Sequence, residues 1–105
     1  MSAIMVAHIT VRDSEKMKAY SLKAPKTLAP FGGKFLGMGK KAEVIGEPHR
    51  HQVIGIAEFP DMDSLKAWYH SQDYQSLIPI RDEASEMHFV FYDKISVEGW
   101  MEQNY

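Results

Sequence analysis

Trp68, Tyr69, Tyr74 and Arg81 are the densest group of side chains in this chain with the means to do chemistry. Aromatic walls beside one guanidinium suit a small aromatic or carboxylate-bearing ligand, held by ring contact and by a planar fork of N–H donors. Within the protein, Asp73 or Glu58 would be the alternative anion for Arg81. A second group is His8 and His88, with Gln52 beside them. Two imidazoles on one surface can relay protons near neutral pH or hold a polar ligand group. Glu58 and Tyr92 occupy the other end of that surface. Glu58 there is a base or an anchor, or else it caps the helix that follows it. The catalytic candidates are therefore His8, His88 and Glu58, and the ligand-binding candidates are Trp68, Tyr69, Tyr74, Arg81 and Tyr92. The opposing reading places Trp68 in an ordinary core stripe and leaves the histidines satisfied by water or by each other. No metal and no cofactor is expected, because no carboxylate or third imidazole completes a shell around His8 and His88. His49-Arg50-His51 looks like a metal clip but falls in a polar turn, where it reads as solvated.

Residues 32–41, GGKFLGMGKK, invite a different chemistry, since glycine-rich loops ending in lysine often cradle phosphate. A phosphate loop, however, follows a strand and opens a helix, so that backbone N–H groups converge on the anion. Here the order is reversed. Gly32 and Gly33 read as a helix C-cap and turn, and Gly37 and Gly39 as places where a strand bends or another backbone comes close. Serine nucleophiles lack a G-x-S-x-G context.

The elements that must position these groups follow from periodicity. Ile4–Val11 is β-branched and mostly apolar, which predicts a strand. Asp13 or Ser14 caps a helix with Met17, Tyr20, Ala24, Leu28 and Phe31 on one stripe, which Pro25 kinks and Pro30-Gly32 ends. Short extended pieces follow at Lys34–Met38 and Glu43–Gly46, then a strong strand at Val53–Phe59. Pro60 stops it, Asp61 or Asp63 caps a helix carrying Leu65, Trp68 and Tyr69, and Ser71-Gln72-Asp73 breaks and recaps that helix. Met87–Val97 is the last strand, and a polar tail ends at Tyr105. The order β-α-β-β-α-β predicts an α+β, ferredoxin-like fold with an antiparallel four-stranded sheet and both helices on one face.

Strand parity then separates two faces. Odd positions such as Met5, Ala7, Ile9, Val53, Ala57, Phe59, Phe89 and Phe91 are apolar and belong under the helices. Even positions mix Ile4, Val6, Ile54, Ile56 and Val90 with His8, Glu58, His88 and Tyr92. That face is too apolar for water yet carries polar groups, so a homodimer joined through the open sheet face is expected.

Composition agrees with a single domain spanning the whole chain, residues 1–105, the last thirteen forming a strand extension and tail. Its 105 residues carry a net charge of -2, which gives no electrostatic footprint for nucleic acid or an anionic membrane. The absence of cysteine removes disulfides and thiolate chemistry. The first residues, MSAIMVAHITVRD, read as a strand rather than a leader, so a cytoplasmic location is expected.

Over nearly the whole chain the sequence resembles the domain-of-unknown-function 1330 family of the dimeric α/β-barrel superfamily. The resemblance rests on Ala24-Pro25, FGGKFLGMG at 31–39, EVIGE at 43–47, EFPDMDSLKAWYHSQDYQSLIPIRDEA at 58–84, and Glu98-Gly99. It implies two four-stranded sheets packed face to face into a barrel with helices outside. Superfamily relatives include cofactor-free monooxygenases, isomerases, decarboxylases, haem-binding enzymes and ligand-binding modules, so the fold leaves the chemistry open. The function expected is a homodimer binding a small organic ligand with a cofactor-independent isomerase- or monooxygenase-like step. A non-catalytic dimeric binding or interaction module is the alternative.

Overall fold

The computed structural model describes residues 1–104; Tyr105, the end of the expected tail, lies outside them. Four strands, β1 (Ala3–Val11), β2 (Lys34–Lys40), β3 (Val53–Phe59) and β4 (Ser85–Asp93), form one antiparallel sheet in the order β2-β3-β1-β4. Helices α1 (Ser14–Lys23), α2 (Met62–His70), α3 (Gln72–Gln75) and α4 (Ile78–Ala84) cover one face. This is the ferredoxin-like α+β arrangement that the periodicity predicts.

Local chemistry sets the boundaries. Asp13 accepts a hydrogen bond from the Lys16 amide at 3.1 Å and starts α1. Pro25 cannot continue that helix, and residues Ala24–Thr27 and Ala29–Phe31 tighten into 3₁₀ turns. Gly32 closes the second at φ 74°, in the left-handed region glycine tolerates. Gly33 serves a close approach instead: a Cβ there would stand 2.5 Å from the Phe59 ring. Gly37 lies at a register shift between β2 and β3. The glycine-rich stretch is thus turn and bulge, as its position after a helix requires.

Asp61 caps α2 by accepting from the Ser64 amide at 2.7 Å. Ser71 then ends α2 and starts α3, donating to the Trp68 carbonyl at 2.7 Å and accepting from the Tyr74 amide at 3.2 Å. One serine therefore holds both large aromatics of the interior in place. Ser71→Ala should cost about 1 kcal/mol, read from the midpoint of urea unfolding. An unchanged midpoint would show that neighbouring packing alone sets the helix break. Pro79 lies in the first turn of α4, where a missing amide proton is harmless, so it opens that helix.

The core lies between sheet and helices. Met5, Ala7, Ile9, Ala57 and Phe59 from the odd positions meet Met17, Tyr20, Leu28, Leu65, Trp68, Tyr74 and Leu77. Three expectations need correction. Residues 43–46 form no strand, because nothing pairs with them beyond Lys41, whose amide bonds the Gln52 carbonyl. The last strand is Ser85–Asp93, beginning and ending earlier than residues 87–97, since α4 runs into it without a loop. The tail is a helix, α5 (Val97–Asn104), started by Ser96 Oγ accepting from the Gly99 amide.

Candidate functional site

The first layer of the site is a chain of hydrogen bonds under the helices. Arg81 on α4 donates from Nη1 to the Tyr74 hydroxyl at 3.3 Å, and the Tyr74 and Tyr20 hydroxyls are 2.7 Å apart. A guanidinium can only donate, so Tyr74 accepts from Arg81; between the two phenols either hydroxyl can be the donor, and one arrangement has Tyr74 donating to Tyr20. The Tyr20 proton is then left with Met87 Sδ, 3.9 Å away and a weak acceptor. Burial raises the pKa of Tyr20 above the ordinary phenol range, and burial likewise raises that of Tyr74. Both phenols stay protonated at neutral pH. Arg81 also reaches Asp82 on its exposed side and lies 5.4 Å above the Phe89 ring.

Tyr20 and Met87 open onto a cavity of about 150 Å³ between sheet and helices. Its other walls include Met5, Ile9, Met17, Leu28, Trp68 and Phe89, with Phe35 and Met38 at the β2 edge. Gly55 forms part of the floor; a Cβ there would meet Met38 Sδ at 3.3 Å and the Phe35 ring at 3.7 Å. The lining is apolar except for Tyr20 and Ser21, and among the described residues it holds no carboxylate, imidazole or amine.

The expected site residues divide between two faces. Trp68 and Tyr74 are fully buried, Tyr69 is half-buried against Phe89 and Phe91, and Arg81 stands behind Tyr74. Of these four, only Trp68 lines the cavity. Arg81 finds Asp82 as its carboxylate, in place of the Asp73 or Glu58 considered from sequence, and does not line the cavity. His8, His88, Glu58 and Tyr92 lie on the opposite face. His8 pairs in register with His88, and Ile4 pairs with both Glu58 and Tyr92, which sets those two at the far end. Glu58 caps nothing: Asp61 holds that place, and Glu58 binds Lys94 Nζ at 2.9 Å and Ser2 Oγ at 3.3 Å. The Lys94 ammonium lowers its pKa, which makes it a poor base.

Gln52 also departs from expectation. Its side chain turns to the Arg50 carbonyl, and the neighbours of His8 and His88 are instead His49 and His51. The 49–51 clip thus reaches the sheet through His51, while His49 and Arg50 remain exposed. Tyr20 was equally hidden. On its apolar stripe it reads as core, and the one signal pointing further is that a buried phenol must find a polar partner.

A two-layer ferredoxin-like protein with an apolar helix–sheet cavity and one phenol donor at its wall is the class that fold and site define. Residues 2–95 match the family described as Domain of unknown function (DUF1330), and the chain belongs to it. No curated protein matches the chain. Among solved structures it is similar to the methylated RPA0582 protein of Rhodopseudomonas palustris, with a TM-score of 0.76 and 16% identity over 91% of this chain and 82% of that one. It is also similar to SnoaB, a cofactor-independent oxygenase from Streptomyces nogalater, with a TM-score of 0.67 and 12% identity over 91% and 95%. A dimeric ferredoxin-like protein of unknown function from Thermobifida fusca gives a TM-score of 0.61 and 14% identity over 90% and 92%. Identities this low speak for the fold alone. No helix among the described residues is long and apolar enough to cross a membrane.

Proposed function

We propose that this protein binds a small, planar, largely apolar organic molecule carrying a carbonyl or quinone oxygen in the helix–sheet cavity, as a homodimer. The observation that carries this reading is the Tyr20 hydroxyl. With Tyr74 donating to it, it ends a chain of donors that begins on a cation, it faces an apolar cavity, and among the described residues the acceptor left for its own proton is a thioether. A ligand carbonyl at that point would accept the Tyr20 proton, with the Arg81 charge reinforcing the donor through Tyr74. As negative charge developed on that oxygen, the same chain would stabilise it in an apolar setting. This fits a cofactor-independent isomerase- or monooxygenase-like step in which the substrate supplies the reactive carbon and the protein supplies orientation and an oxyanion donor. The SnoaB likeness adds only that this fold accommodates such chemistry.

Binding without turnover is the second reading, favoured by the lack of any base in the lining. The dimer rests on the even sheet face, where Val6, Ile54, Ile56 and Val90 are only half-covered, and on the dimeric neighbour from Thermobifida fusca.

A thermal-shift screen with aromatic ketones, quinones, lactones and aromatic acids tests the site. At a hundred times its Kd a ligand adds about 2.7 kcal/mol to stability. Carbonyl compounds should raise Tm in the wild type, less in Tyr20→Phe, and not in Gly55→Leu, whose side chain fills the cavity floor. Oxygen uptake or isomerisation of a hit, abolished by Tyr20→Phe, would separate catalysis from binding. Equal shifts in the wild type and Gly55→Leu would remove the cavity from the account.

A further inference from the structure

Four of the five histidines in the chain meet at one corner of the even sheet face, away from the cavity. His8 comes from β1, His88 from β4, and His49 and His51 from residues 41–52, which join β2 to β3. The ring centres are 5.5 Å apart for His8 and His49, 6.2 Å for His8 and His51, 6.0 Å for His49 and His51, and 5.2 Å for His51 and His88. Two imidazoles bound to one tetrahedral metal, at about 2.0–2.1 Å each, hold their ring centres roughly 5 Å apart. The His51–His88 separation matches such a pair, and the other three are wider, so the rings are gathered without yet closing on one point.

The outer contacts of the rings point the same way. Metal-bound histidines characteristically give their second nitrogen to an oxygen, which fixes tautomer and orientation. Here Thr10 Oγ1 lies 2.9 Å from His51 Nδ1 and the His51 carbonyl 3.3 Å from His49 Nδ1, while Glu86 Oε1, 3.6 Å from His88 Nε2, is too far for a hydrogen bond. That leaves Nε2 of His51 and His49 and both ring nitrogens of His88 free. His8 Nδ1 is buried and has no hydrogen-bond partner among the described residues, a costly state for a polar atom. The nearby Arg50 charge is neutralised by a two-point pair with Glu86, at 2.5 and 2.6 Å. A hollow of about 380 Å³ beside residues 41–52 is lined by His49 and His51 together with Glu43, Lys40 and Lys41.

We propose that His8, His49, His51 and His88 form a binding site for a late first-row divalent metal such as Zn²⁺, a site separate from the helix–sheet cavity. All-imidazole donors favour Zn²⁺, Cu²⁺ and Ni²⁺ over Mg²⁺ and Ca²⁺, which take oxygen. Among the described residues no three donors are already gathered as a shell. Closing one takes side-chain rotation in residues 41–52, which carry no helix or strand. The third imidazole whose lack argues against a metal in the sequence is thus supplied by the long connection, and a fourth with it.

Dialysed, metal-free protein titrated with Co²⁺ provides the test. The expected result is saturable growth of the visible absorption of tetrahedral Co²⁺, its displacement by Zn²⁺, and weaker binding in acid, where protons compete with the metal for the donor nitrogens. His51→Gln and His88→Gln should each weaken binding by at least about tenfold. His70→Gln, which alters the remaining histidine, should leave it unchanged. Circular dichroism melts show that the variants fold; should one fail, His49→Gln on an exposed ring gives the same reading. No saturable uptake by the wild type, or equal uptake by His51→Gln and His88→Gln, would overturn the site and leave the cavity reading untouched.

Discussion

Replacing Trp68 by alanine should lower the free energy of unfolding by about 3–5 kcal/mol, a large share of the 5–15 kcal/mol typical of a domain. Trp68 is 1% exposed and stacks within 4.4 Å of Tyr74, 5.5 Å of Phe59 and 6.0 Å of Phe89, measured between ring centres. It joins α2, α3, β3 and β4. Its indole N–H donates to Thr27 Oγ1 at 2.8 Å, and that hydroxyl donates in turn to the Ala24 carbonyl at 2.7 Å. The truncation therefore leaves a void beside an existing cavity and removes the donor to the turn after α1. Trp68→Phe keeps most of the ring contact and loses only the N–H, so its cost should fall to roughly 1–3 kcal/mol. Urea unfolding of the two variants beside the wild type decides the matter. A loss under about 1 kcal/mol for Trp68→Ala would mean that the helix layer is held by something other than this contact.

Val6→Asp should abolish the proposed homodimer and leave a folded monomer. Val6 lies at the middle of β1, with Ile56 beside it on β3 and Val90 on β4, all on the face away from the helices. Within one chain this side chain is half-exposed, so a carboxylate there keeps its water and the fold survives. Against a second sheet the same carboxylate would be stripped of water with no cation opposite, a cost of several kcal/mol in each of two copies. Light scattering at micromolar concentration should give the mass of two chains for the wild type and one for Val6→Asp. Val6→Thr, which adds only a hydroxyl, should remain a dimer. A wild-type monomer, or a Val6→Asp dimer, would move the interface away from this face.

How far these groups were legible beforehand varies with the distance over which they act. Asp13, Asp61 and Ser71 each bond an amide three residues on, so their roles are written in the local spacing. Parity along β1, β3 and β4 separates Met5 and Phe59 from Val6 and Glu58, because a strand turns its side chains to alternate faces. The same parity places His8 beside His88. Tyr20 gives no such signal, for its partner Tyr74 is fifty-four residues away and its stripe is otherwise apolar. Arg81 shows the converse failure: its charge suggests a ligand's anion, while the fold sets a tyrosine in front of it.

The amino-acid sequence by itself determined the order of elements, the antiparallel sheet, the two faces and the position of the glycine turns. All of these follow from interactions between residues near one another in the chain or from strict periodicity. Only the tertiary structure decided which side chains share a site. It put Tyr20 rather than Arg81 at the cavity wall, tied Glu58 to Lys94, and brought His49 and His51 to His8 and His88. Those contacts join distant segments through an irregular connection and through helix packing, and no local rule of spacing encodes where such segments come to rest.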